Sequence, residues 1–205
     1  REMTKEDIKY LVNAYAEAAL RVKKSGFDGV EIHGGHGYLV SQFLSPYYNK
    51  RTDEYGGSIE NRGRFVFEIF KAIREKVGEK FPILIKLNSS DYVKEGGLTI
   101  EDSLYVAERL AELGIDAIEV TGGNESIEEV MKNNLGPSRT KVAISKDRES
   151  YFKEYAIKLA ERINKPVILS GGNRHFDVME ELLNDTNIEY FSLSRPLTAE
   201  PDLIN

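Results

Sequence analysis

The sequence predicts an α/β fold built on parallel strands, a partial TIM (β/α)8 barrel of five βα units. Three observations predict it. Helical and strand periods alternate in strict order along the 205 residues, which implies parallel strands joined by right-handed crossovers. The strand runs are nearly continuous in apolar residues, as when both faces of a sheet are covered. The residues with chemistry to offer sit just past the strand ends: His33, Thr121-Gly122-Gly123, Gly171-Gly172 and Ser194-Arg195. An open doubly wound sheet would also place its site there. No strand leads into G-x-G-x-x-G, however, and "SGG" on one strand followed by "SR" on the next fits the paired phosphate site of a barrel's last two strands. A whole barrel needs eight strands and about 250 residues. Five strands are legible here.

The elements follow in order. From Thr4, the residues Ile8, Leu11, Val12, Tyr15, Ala18, Ala19 and Val22 recur at three and four, giving one apolar helix face. Thr4 is its expected N-cap, Glu6 and Asp7 suit its first turn, and Gly26 its stop. "DGVEIH" is a short strand, followed by a polar, glycine-rich stretch to Ser58. A second helix starts near Ser58, carries Phe65, Val66, Ile69, Phe70, Ile73 and Val77, and ends at Gly78. "PILIKLN" is the next strand. "LTIEDSLYVAERLAELG" is a helix with Thr99 and Asp102 as a capping pair and Gly114 as its stop. "DAIEVTGG" is a strand, and Phe152, Tyr155, Ala156, Leu159 and Ile163 mark a further helix. "PVILSGG", a short helix holding Val178, Met179, Leu182 and Leu183, and the strand "EYFSLSRP" complete the series.

Composition narrows the function classes. The chain is 40% hydrophobic and 30% charged, enough for one sizeable core. A net charge of −6 argues against nucleic acid as a partner. With no cysteine, this stretch has no disulfide, thiolate metal site, iron–sulfur ligand or thiol nucleophile. No apolar run approaches the roughly 20 residues of a membrane span, so no membrane partner is expected. The opening "REMTKEDI" is charged and does not read as a secretory leader; a cytoplasmic location is the expectation.

Four groups of residues carry candidate chemistry. "EIHGGHGYLV" sets His33 three residues before His36, with Tyr38 close behind. The pair could bind a metal, could hydrogen-bond the backbone of a turn, or could clamp a ligand oxygen with two imidazole N–H donors while Tyr38 supplies a proton. A third metal ligand must come from elsewhere, since Glu31 is expected to face away from the pair. Glycines 34, 35 and 37 let the chain bend and a flat ligand come close. Lys86 stands inside an apolar strand and needs a partner. That partner is a carboxylate such as Glu31 or Glu119, or an anionic cofactor, and the cofactor is favoured. "SGGN" (170–173) and "SRP" (194–196) suit a phosphate, held by backbone N–H groups and the fork of Arg195. "NKRTDEYGGSIENRGRF" reads as a solvated loop held by ion pairs of Arg51, Asp53, Arg62 and Arg64.

"GFDGVEIHGGHGYLVSQFLSP" followed by "NKRTDEYGGSIENRGRF" closely resembles the signature of the Old Yellow Enzyme family, FMN-dependent NAD(P)H:flavin oxidoreductases. "IKLNSSDY", "IEVTGG", "VILSGG" and "SLSRPLTAEPDL" follow in the family's order, so the resemblance spans essentially the whole chain. It implies a TIM barrel with FMN at its C-terminal mouth and NAD(P)H as reductant. It implies that His33 and His36 hydrogen-bond the oxygen of a small activated carbonyl, an enone or related electrophile, and that Tyr38 is the proton donor. Lys86 stands where the family commonly has arginine against the flavin; the charge is kept and the planar fork lost. Gly171, Gly172, Asn173, Ser194 and Arg195 stand at the FMN phosphate positions, with Ser194 replacing the usual glycine. Residues 1–205 are then expected to be one domain, the C-terminal part of a barrel whose first three strands and last helix are absent. The competing expectation is a non-catalytic barrel fragment without a competent flavin site. A homo-oligomer is left open.

Overall fold

The computed structural model describes residues 1–139 and 145–204. Helix α1 (Lys5–Lys24) begins with a reciprocal cap: Thr4 Oγ1 accepts from the Asp7 N–H and the Asp7 carboxylate accepts from the Thr4 N–H, satisfying two donors that the first turn leaves open. The five strands are β1 (Val30–Gly34), β2 (Ile83–Asn88), β3 (Ala117–Thr121), β4 (Val167–Leu169) and β5 (Tyr190–Phe191). All pair in parallel, in the spatial order β1-β2-β3-β4-β5. A doubly wound sheet reverses its order at a switch point. Here every strand lies beside its successor, as in one continuous arc of a barrel wall.

Between the strands lie α2 (Leu39–Leu44), α3 (Ile59–Arg62), α4 (Arg64–Val77), α5 (Ile100–Leu113), α6 (Glu128–Lys132), a 3₁₀ turn (Lys146–Arg148), α7 (Lys153–Arg162) and α8 (Phe176–Asp185), and α9 (Arg195–Ala199) follows β5. The core is the layer between the helices and one face of the sheet. Ile83, Ile85, Leu87, Ile118, Val120, Val167 and Leu169 supply the sheet side, and Ile8, Phe65, Ile69, Phe70, Leu104, Leu110 and Leu159 the helix side, all fully buried or nearly so. Helix α1 packs chiefly on α4, with the Tyr15 ring edge-on to Phe65 at 6.5 Å.

The opposite face is different in kind. By register His33, Lys86, Glu119, Ile168 and Tyr190 line up across the five strands, with Glu31 and Leu84 one step earlier. This inner face is polar, charged and open to clefts, one of them about 650 Å³.

Several boundaries differ from the sequence reading. The helix expected from Ser58 is two, α3 and α4, meeting at Gly63, where a Cβ would stand 2.8 Å from the Phe67 ring. The strands stop earlier than expected because their glycines turn: Gly123, Gly171 and Gly172 all have positive φ. "SRP" is no strand. Arg195 and Pro196 begin α9, where a residue lacking an N–H costs nothing. Thr99 and Asp102 form the expected capping box, and Gly114 ends α5 at φ +94°. Of the expected ion pairs, Arg51 meets Asp53 at 2.5 Å, but Arg62 reaches Asp102 in α5 and Arg64 donates to the Glu54 carbonyl. Among the described residues, no helix is long and apolar enough to cross a membrane.

Candidate active site

β1 delivers His33 to the sheet's inner face, and the turn after it carries His36 and Tyr38. His36 takes φ +63°, a left-handed conformation uncommon outside glycine and asparagine. Two bonds hold it there. Its N–H donates to Asn88 Oδ1 (3.1 Å), and its Nε2 lies 2.8 Å from Thr121 Oγ1. The rings of His33 and His36 are edge-on at 4.9 Å, and the Tyr38 ring is 5.2 Å from that of His33. Tyr38 is 56% exposed at the start of α2, so its hydroxyl is available to a ligand. Burial, and then the charge of Lys86, push His33 below the usual imidazole range. Burial, with His33 and Lys86 adding to it, pushes His36 down to about 4. Both rings are therefore neutral near pH 7, each with one N–H donor.

A cleft of about 590 Å³ opens beside this pair, within the size range of small-molecule sites. His36 lines it, together with Lys86, Ser170, Gly171, Gly172, Asn173, Ser194 and Arg195. Every residue expected to touch the cofactor thus meets in one cleft. His33 and Tyr38 do not line it; His36 joins the two groups. Gly171 (φ +95°) and Gly172 (φ +82°) turn the chain where L side chains are strained. A Cβ at Gly171 would also come within 2.6 Å of the Tyr151 ring. Asn173 is buried, and its side chain is committed: its Nδ2 donates to Leu169 O and Ser192 O, and its Oδ1 accepts from Ser150 Oγ. It ties the β4 and β5 loops together and offers a ligand only its backbone. Among the described residues, the N–H groups of Gly171, Gly172 and Asn173 meet no protein acceptor. Three unengaged amides beside Arg174 and Arg195 are the donor set a phosphate needs, and Lys86 adds a cation at the cleft's other side. The cleft fits FMN.

Lys86 faces the cleft and also has its carboxylate. Its ammonium donates to Glu119 Oε1, the residue opposite it on β3. The pairing and the cofactor-facing readings therefore hold together. Glu31 corrects the sequence reading. It shares the inner face with His33, because residues two apart on a strand point the same way. Burial first, then the Glu119 charge, push its carboxyl up to about 7 against the opposing pull of Lys86. Among the described residues, no three His, Cys, Asp or Glu side chains are grouped to hold a metal.

The sequence reading missed the residues that fix the site. Asn88 is fully buried and binds His36 through Oδ1 and the Gly123 carbonyl through Nδ2. Asp91, also buried, accepts from Ser45 Oγ and from the Leu98 N–H. Asn124 packs so closely on Gly37 that a Cβ there would be 2.4 Å from its Oδ1. The available signal was polar residues directly after strand ends, in "LNSSD" and "TGGN".

Comparison with known proteins agrees with this geometry. A family model described as the NADH:flavin oxidoreductase / NADH oxidase family matches residues 1–205. An NADPH dehydrogenase of Geobacillus sp. (strain WCH70) is 49% identical over 205 residues, which cover 98% of this chain and 54% of that protein. An NADH oxidase of Thermoanaerobacter brockii is 37% identical over 206 residues, covering 98% of this chain and 29% of that protein. In a solved complex of 2-naphthoyl-CoA reductase, 34% identical, the fold superposes with a TM-score of 0.87 over 99% of this chain and 29% of that one. The chain thus spans about half, or less, of the relatives it matches. It belongs to the NADH:flavin oxidoreductase / NADH oxidase family, the FMN-dependent oxidoreductases that include Old Yellow Enzyme.

Proposed function

We propose that the chain is the cofactor- and substrate-bearing part of an NAD(P)H-dependent FMN oxidoreductase that reduces activated C=C bonds, such as those of α,β-unsaturated carbonyls. Residues 1–205 act in it as one domain, the C-terminal part of a TIM barrel. The observation that carries this reading is the position of His36, which lines the cleft of Lys86, Gly171 and Arg195 and stands ring to ring with His33.

When bound, FMN supplies the hydride chemistry. The backbone of residues 171–173 and the Arg195 guanidinium hold its phosphate, and Lys86 offsets negative charge on its ring. His33 and His36 donate to the substrate oxygen. As neutral donors, they stabilise negative charge gathering there without giving up a proton. Tyr38, exposed and adjacent, protonates the substrate carbon as general acid. The printed names of the relatives, NADPH dehydrogenase and NADH oxidase, support a nicotinamide reductant for this chain as well.

FMN titration of the purified chain, read by flavin absorbance and fluorescence, tests the reading. A yellow, reconstitutable protein that loses affinity about tenfold or more in Arg195→Ala is expected, the size of one lost charge-assisted contact. The second reading, a non-catalytic barrel fragment, draws on the open inner face and on the outer edges of β1 and β5, which no strand pairs among the described residues. A chain that FMN cannot colour would favour it.

A further inference from the structure

Behind the cofactor cleft lies a buried cation that the proposed chemistry does not use. Arg139 is 8% exposed. Among the described residues its guanidinium meets no carboxylate, only two carbonyls of its own segment, Gly136 at 3.4 Å and Leu135 at 3.5 Å. What surrounds it is aromatic. The guanidinium carbon lies 4.4 Å from the ring centre of Tyr92, 5.0 Å from that of Phe152 and 5.2 Å from that of Tyr151. A cation is costly to bury alone, and three rings within about 6 Å offset that cost. The rings come from two loops: Tyr92 follows β2, and Tyr151 and Phe152 precede α7. The cage is seated on glycine. A Cβ at Gly122 would stand 2.8 Å from both Tyr92 and Phe152, and one at Gly171 would stand 2.6 Å from Tyr151.

Tyr151 connects this cage to both walls of the cleft. Its N–H donates to the Gly171 carbonyl (3.1 Å), beside the phosphate amides. Its hydroxyl donates to the Pro137 carbonyl (3.0 Å) and accepts from the Arg139 N–H (3.3 Å). Pro137, Ser138 and Gly171 all line the cleft; Arg139, next in the chain, does not, and its side chain fills the cage instead. We propose that Arg139 is a positioning residue for the cofactor cleft: its guanidinium, caged by Tyr92, Tyr151 and Phe152, pins the Pro137–Ser138 wall to the phosphate loop at Gly171 through Tyr151. Leu135 to Arg139 lie outside helix and strand, so the place of that wall depends on these contacts. The cage selects a planar cation. Lysine would keep the charge but not the plane that lies against three rings, and an apolar side chain would keep neither.

The reading of the cleft as an FMN site rests on the proposed function; the cage does not, and the two are read apart. Amide hydrogen exchange of the full chain without FMN follows the cage. In Arg139→Ala the Tyr151 N–H, bonded to Gly171, should exchange about tenfold faster, as when a desolvated cation–π contact is lost, and millimolar ethylguanidinium should restore its protection. Ethylammonium at the same concentration should restore less, having the charge without the plane. Parent-like exchange in Arg139→Ala, or equal rescue by the two cations, overturns the proposal. FMN titration then reads the cofactor. Arg139→Ala should bind FMN about tenfold more weakly and Arg139→Lys should fall between it and the parent. Tyr151→Phe keeps the ring and loses the bridging hydroxyl, and should weaken FMN about fivefold. Unchanged FMN affinity in Arg139→Ala and Tyr151→Phe overturns the positioning role. A parent chain that FMN does not colour contradicts the proposed function instead, and the exchange measurement still decides the cage. Circular dichroism checks that each variant keeps the fold, and Arg139→Lys carries the exchange test in place of an alanine variant that does not fold.

Discussion

His36 Nε2 lies 2.8 Å from Thr121 Oγ1, across the width of β2. The contact decides what the histidine can do. If the Thr121 hydroxyl donates to Nε2, the ring proton must sit on Nδ1, where the N–H can hydrogen-bond a substrate oxygen. The clamp reading requires that tautomer. Thr121→Val keeps the side-chain shape and removes the hydroxyl. Enone turnover should fall about tenfold, as for one lost buried hydrogen bond, and Thr121→Ser should restore it. Imidazole ¹⁵N shifts of His36 in the parent and in the variant report the tautomer itself.

Acid stability follows from the same histidine. Folding lowers the His36 pKa from 6.5 to about 4, so the folded chain refuses a proton that the unfolded chain accepts. Its contribution to stability is whole above 6.5 and is lost as pH falls toward about 4. Glu31 acts in the opposite sense. Its folded carboxyl is raised from 4.5 to about 7, so its contribution is whole below 4.5 and is lost as pH rises through about 7. Urea unfolding across this range should show a shallower acid-side decline in His36→Asn, asparagine being tolerant of φ +63°. Glu31→Gln should be more stable than the parent at about pH 8, where the parent's carboxyl ionises at a cost.

Gly171 and Gly57 separate two causes of glycine dependence. Both have positive φ, but only at Gly171 would a Cβ collide, at 2.6 Å with Tyr151 and 2.7 Å with Phe152. Gly57 has nothing within 4 Å. Gly57→Ala should cost only the backbone strain, about 1 kcal/mol. Gly171→Ala should cost more, about 3 kcal/mol, and should weaken FMN binding as well, because the loop that moves carries the phosphate amides. Denaturant midpoints and flavin titrations of the two variants check the contrast.

Much of this was legible in the sequence, for identifiable reasons. The long helices announce themselves by period and by their caps, and Thr99–Asp102 is bonded as its spacing implies. The strand order was not readable, since alternation alone admits two closures; pairing of each strand with its successor decides it. Helix α2 escaped notice because six residues, four of them buried, show no amphipathic stripe. The gathering of Gly171, Gly172 and Arg195 follows from their place after strand ends, a rule of the fold, while Lys86 joins them from within β2. What holds them does not. That Lys86 needs an anionic partner is clear from its apolar neighbours, whereas its pairing with Glu119 rather than Glu31 is a matter of register. Asn173 looked like a ligand contact, yet its side chain is spent on two backbone carbonyls and a serine.

The central claim is a division of labour: the cleft holds the cofactor, while His33, His36 and Tyr38 serve the substrate. Stopped-flow measurement of the two half-reactions in Tyr38→Phe, with FMN bound, tests it most directly. Reduction of the flavin by NADPH should be unchanged, and its reoxidation by an enone should slow by about 10²–10⁴-fold, the usual worth of a general acid. Enone reoxidation at the parent's rate would contradict the account.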